Sequence, residues 1–179
     1  MLYLSRATFL LVVLLLSACA GDPLLDTHTG PTATLTDLIV PTGGNSVDIF
    51  YASAFNGQSI RNSRGATASA SSGLGPVIRA TNVRRRVPAE QVVVTIVGER
   101  HYAAPIIAMF NEAYRISGDV TFIPQTGALY RVRGLLLPTS VSVWIEDAAT
   151  GKPVGATLRQ ERDWEPPSGP VPGTQRAVP

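Results

Sequence analysis

The run Val92-Val93-Val94-Thr95-Ile96-Val97 constrains this chain more than any other stretch. Every one of its residues is β-branched, stiff at χ1 and at ease on a pleated surface. Being continuously apolar rather than alternating, it reads as a strand covered on both faces. Such a strand needs a second layer, so the search is for more strands and for the turns that join them.

They follow at short, regular spacing. Residues 32–40 alternate around Ala33 and Leu35, continue through Leu38, Ile39 and Val40, and stop at Pro41-Thr42-Gly43-Gly44, which predicts one first strand. Residues 47–55 form a β-prone run that ends at Asn56-Gly57, a strong hairpin signal, with 58–62 as the return strand. Residues 63–75 lose every hydrophobic pattern and read as a mobile surface loop. Order returns over 77–87, a turn follows at Pro88-Ala89-Glu90, and the central run occupies 91–98. Pro105 can open a helix whose one face carries Ile106, Met109, Phe110 and Ala113, with Gly118 as its stop. Residues 120–123, 128–137 and 141–147, separated by Pro124-Gln125-Thr126-Gly127 and Pro138-Thr139-Ser140, predict a meander. The expected fold is mainly β: an antiparallel β-sandwich, immunoglobulin-like or transthyretin-like, over residues 32–162, with at most one short helix near 105–115. Residues 163–179 hold five prolines and no periodicity, and are expected to be a disordered tail.

The N-terminus is of another kind. After Arg6 the segment 7–16 is apolar apart from Thr8, about half of the ~20 residues that span a bilayer, and Leu16-Ser17-Ala18-Cys19 closes it. This resembles a bacterial lipoprotein signal peptide with its lipobox. The resemblance implies that residues 1–18 are removed, that Cys19 carries a diacylglyceryl group and, on its amine, a further acyl chain such as palmitate, and that 19–31 tether the domain to a membrane. Ala20, where such lipoproteins carry aspartate for inner-membrane retention, implies the outer membrane, with the domain in the periplasm. The plain alternative is a buried cysteine behind an ordinary signal. Cys19 is the only cysteine, so no disulfide framework is expected.

The charge is balanced at +2, with fourteen arginines and one lysine, and gives no reason to expect nucleic acid. Two surface groups stand out. Parity along 128–137 and 141–147 turns Tyr130, Val132, Gly134, Leu136, Val141, Val143 and Ile145 inward. It turns Arg131, Arg133, Trp144 and Glu146 outward, where Glu146 faces an arginine and Trp144 faces or flanks Arg133. That group is either a surface ion pair beside a stacked ring or a partner contact, tryptophan and arginine being frequent binding hot spots. Arg84 and Arg86 share a face, with Arg85 opposite, and are either the charged guard of an edge strand or a contact for anions.

No catalytic constellation and no cofactor motif is found; His101 with Glu99, Glu112 or Asp119 is the one conceivable metal site. The expected function is a non-enzymatic binding or assembly module on a lipid anchor, with an envelope protein as partner. Its size and strand pattern are similar to the small sandwich lipoproteins that serve envelope machines, including the transthyretin-like lipoprotein of type VI secretion, a likeness of fold without a motif. The alternatives are a carbohydrate or peptidoglycan binder using Trp144, Tyr130 or Trp164, and a metal-dependent hydrolase using His101.

Overall fold

The structure, a computed structural model, describes residues 28–43 and 45–163. The expected signal segment with Cys19, the expected tether up to residue 27, and 164–179 with Trp164 lie outside the described residues. In chain order the elements are β1 (Thr32–Thr36), β2 (Leu38–Pro41), β3 (Ser46–Phe55), β4 (Gln58–Ser59), α1 (Ser63–Ser71), β5 (Arg84–Pro88), β6 (Val92–Tyr102), α2 (Pro105–Met109), β7 (Arg115–Phe122), β8 (Leu129–Leu136), β9 (Ser140–Asp147) and β10 (Pro153–Glu161).

They form a β-sandwich of two mostly antiparallel sheets. The first has the order β10-β9-β8-β1-β5 and the second β2-β3-β6-β7, with β4 paired to β3. Only β1 and β8 run parallel. The central run explains itself here. Val94 and Ile96 of β6 point between the sheets, against Leu35, Phe50, Val132, Val143 and Ile145, while Val97 points the other way into a second cluster with Val47, Ile49 and Tyr51. The second face of β6 is thus buried at Val97 but only half-buried at Val93 and Thr95, so the double cover expected of the run is partial. Asn56 and Gly57 take positive φ, 46° and 78°, the primed turn for which that dipeptide is suited.

Five expectations are corrected. The predicted first strand is two strands in two sheets, β1 and β2, broken at Asp37. That carboxylate is only 1% exposed and forms a two-pronged ion pair with Arg85, itself 5% exposed, both contacts at 2.7 Å. The predicted meander is β8-β9-β10, because β7 belongs to the second sheet and β10 was not foreseen. The helix near 105–115 is the short α2 alone, with Pro105 at its start; Ile106, Met109 and Phe110 are exposed, Phe110 by 81%, and Gly118 lies inside β7. The return strand 58–62 shrinks to β4.

The expected loop at 63–75 is largely the helix α1. Asn62 caps it, accepting from the Gly65 N–H at 3.0 Å. Its inner face is not apolar. Ser63, Thr67 and Ser71, one turn apart, accept from the backbone N–H groups of Val83 at 2.7 Å, Thr81 at 3.0 Å and Arg79 at 2.8 Å. The helix thus binds alternate residues of the extended segment before β5, supplying partners to N–H groups that no strand satisfies.

Gly134 permits the closest approach in the sandwich. A Cβ there would stand 2.3 Å from the Ser142 carbonyl oxygen and 2.4 Å from the Phe50 ring. Backbone on one side and a fully packed ring on the other leave no room to give, so Gly134→Ala is expected to cost about 3 kcal/mol. Urea unfolding measures this, and an unchanged midpoint would show that Phe50 has space to move.

Candidate functional site

Sheet order brings the two arginine groups onto one surface. Register places Arg84 and Arg86 of β5 beside Thr36 and Thr34 of β1, Thr36 beside Arg131 of β8, Arg131 beside Glu146 of β9, and Arg133 beside Trp144. Arg159 of β10 stands opposite Ser142 on the same side. The outer face of the first sheet therefore carries Arg84, Arg86, Arg131, Arg133 and Arg159, all exposed, with Trp144 half-buried among them. Against these stand Glu146 and Glu161; five arginines less two glutamates leave three positive charges on this face.

Its internal pairing is loose. Arg133 reaches Glu146 at 3.5 Å, a diagonal contact, and Arg159 pairs with Glu161 at 2.7 Å. The exposed Arg159–Glu161 pair contributes about 0–1 kcal/mol. Glu146 points outward, as parity predicts, yet is mostly buried, being covered by its neighbours. The guanidinium–ring contacts among the described residues are those of Arg100 and Arg162, each 4.3 Å from the centre of the Tyr114 ring, not one between Arg133 and Trp144. Arg85 belongs to the interior, so the triplet 84–86 divides into two surface cations and one core ion pair.

Both helices pack against the second sheet, α1 on β3 and α2 on β6. The two outer faces are thus unequal: one is overlaid by both helices, while on the other no helix among the described residues covers the five strands, and half of its long side chains are arginine. Leu129 and Leu135 add exposed apolar area to it.

The residues of the alternative readings are dispersed. His101, at the end of β6, lines an open cleft of about 650 Å³ between Ser71–Gly75 and the start of α2. Glu99 is taken up by Arg64 and Arg115, Glu112 by Arg162 at 3.3 Å, and Asp119 by the Thr95 hydroxyl at 2.6 Å. Among the described residues no three metal-binding side chains converge. Tyr130 is buried edge-on against Phe122, its hydroxyl accepting from the Gln125 N–H at 3.0 Å, so its ring is closed to a sugar.

Sequence reasoning missed the cluster around Glu99. Tyr51, Glu99 and Arg115 lie on neighbouring strands β3, β6 and β7, and Arg64 reaches them from α1. The Tyr51 hydroxyl donates to Glu99 at 3.4 Å, and burial, then the Glu99 charge, hold its phenol above the ordinary value. The available signal was parity: Glu99 and His101 share the outer face of β6 with Val97.

Comparison with family models, with curated proteins and with solved structures finds no match to this chain.

Burial first, and the Arg64 charge second, hold His101 below its ordinary 6.5, against a smaller opposing pull from Glu99. Below that pH the unfolded chain binds a proton that the folded domain resists, so stability falls as pH falls through the window. His101→Asn should therefore lose less stability than the native chain between about pH 7 and pH 5. Urea midpoints at the two pH values measure it; equal losses would mean that the imidazole titrates alike folded and unfolded.

Proposed function

We propose that this chain is a lipid-anchored envelope lipoprotein whose β-sandwich is a non-enzymatic binding or assembly module, held at the periplasmic face of the outer membrane through Cys19. The arginine face with Trp144 is the observation that carries the binding role. Arginine forks recognise carboxylates in two-pronged fashion, and an indole supplies rigid apolar area, so the complementary partner is an envelope protein with an acidic surface. The anchor rests on Leu16-Ser17-Ala18-Cys19 and on the shortness of the apolar segment before it. Two lipid chains or more give stable attachment where one does not.

The two halves of this reading are separable in one experiment, with the full chain expressed in a bacterial envelope. Cys19→Ser should move it from the membrane to the soluble fraction. Arg131→Ser/Arg133→Ser/Trp144→Ala should stay in the membrane and remain folded, but lose its co-purifying protein by roughly thirtyfold in affinity, equivalent to about 2 kcal/mol. Native binding should also weaken with salt, since exposed charges are screened beyond about 8 Å at physiological ionic strength. A Cys19→Ser chain that still sediments with membranes contradicts the anchor; a triple variant that retains the same partner contradicts the arginine face.

A further inference from the structure

The Glu99 cluster lies on the sheet opposite the arginine face, and nothing in the proposed function uses it. Its charges do not balance: two guanidiniums share one carboxylate. Arg64 gives Glu99 its Nε at 2.6 Å, and Arg115 gives it Nη1. Arg115 also hydrogen-bonds the Tyr51 hydroxyl, whereas among the described residues the Arg64 guanidinium bonds Glu99 alone, so its Nη1 and Nη2 keep their donors. The carboxylate is sunk in the surface, with Glu99 only 7% exposed, whereas the two arginine side chains are 51% and 58% exposed.

Both arginines line one cleft of about 460 Å³ between the first turn of α1, the β3–β4 hairpin and β7, together with Ser59 and Gly65. Nearby backbone donors are already taken, Gly65 N–H by Asn62 and Ser63 N–H by Asp37, so a ligand here would be held by side chains. Neutralising Glu99 needs a single arginine. A second, with its fork turned to the same cleft, leaves one positive charge and a pair of planar donors matched to an oxyanion.

We propose that this cleft binds a small oxyanion, the carboxylate or phosphate group of a ligand, between Arg64 and Arg115, with the Ser59 hydroxyl as a further donor. Glu99 fixes the two forks from beneath and competes with the ligand for them. The site is independent of the lipid anchor and of the arginine face.

Titration of the full chain carrying Cys19→Ser, followed through the amide resonances of Ser59, Gly65 and Arg115, tests the site with inorganic phosphate and with succinate as separate arms. Saturable shifts confined to these amides are expected in at least one arm, and the tighter arm assigns the group. Arg115→Gln and Arg64→Gln should each weaken binding about tenfold, a loss of about 1.4 kcal/mol. Glu99→Gln should tighten it, because both forks are released while the side chain can still accept from Tyr51. That rise separates a ligand site from a cluster serving only the fold, which Glu99→Gln would disturb without creating affinity. Shifts that grow linearly in both arms, shifts unchanged in Arg64→Gln and Arg115→Gln, or a Glu99→Gln variant that binds no tighter would each overturn the proposal.

Discussion

Asp37 and Arg85 meet where the chain leaves one sheet for the other, and most of the architecture passes through that contact. The Asp37 carboxylate accepts from both Arg85 Nη atoms at 2.7 Å, from the Ala52 N–H in β3 at 3.2 Å and from the Ser63 N–H at the start of α1 at 2.8 Å. Arg85 returns a further bond to the Arg61 carbonyl at 3.2 Å. One buried ion pair thus ties β1, β2, β3, β5 and the α1 N-terminus together. Two charges this deep persist only because nearly every polar atom finds a partner, the Arg85 Nε being the exception among the described residues. Their position is what makes residues 32–41 two strands rather than one, and it brings α1 down on β3.

Much of this was legible in the sequence where period and punctuation agree. The run 92–97, the Asn56-Gly57 turn and the β8–β9 hairpin, with Trp144 and Arg133 on one face, follow from alternation and turn chemistry, while the register that sets them directly opposite comes from the structure. The strand break at Asp37 is a different matter. Ala33, Leu35 and Asp37 share the inward parity, as do Arg85 and Val87, so both charges were on core positions; nothing in a single sequence says that two such charges will meet. The helix α1 escaped for a related reason. It has no apolar stripe, because it packs through small residues and the hydroxyls of Ser63, Thr67 and Ser71, and a period made of serine and threonine looks like a loop. The Asn62 cap and the four-residue spacing of those hydroxyls were the signals. The short α2 reversed an expectation too: its apolar face meets solvent rather than core.

The same crossing sets the inequality between the two outer faces. By bringing α1 and the segment after it onto the second sheet, it leaves the first sheet without a covering helix among the described residues, and the arginines that read in the sequence as two separate groups become one surface. β5 is an edge strand, so Arg84 and Arg86 also discourage edge-to-edge association, a role compatible with partner contact. The covered face, in turn, is where α1 brings Arg64 to the buried Glu99. Both candidate binding surfaces are therefore consequences of where the chain changes sheets.

The most direct test is a double-mutant cycle on that pair, with Asp37→Leu, Arg85→Met and the double variant unfolded in denaturant. If the pair is one unit fastening the two sheets, each single change strands a buried charge and costs about 3–5 kcal/mol, while the double variant recovers most of that loss. Losses that simply add in the double variant would contradict it, showing that Asp37 and Arg85 act on the fold separately.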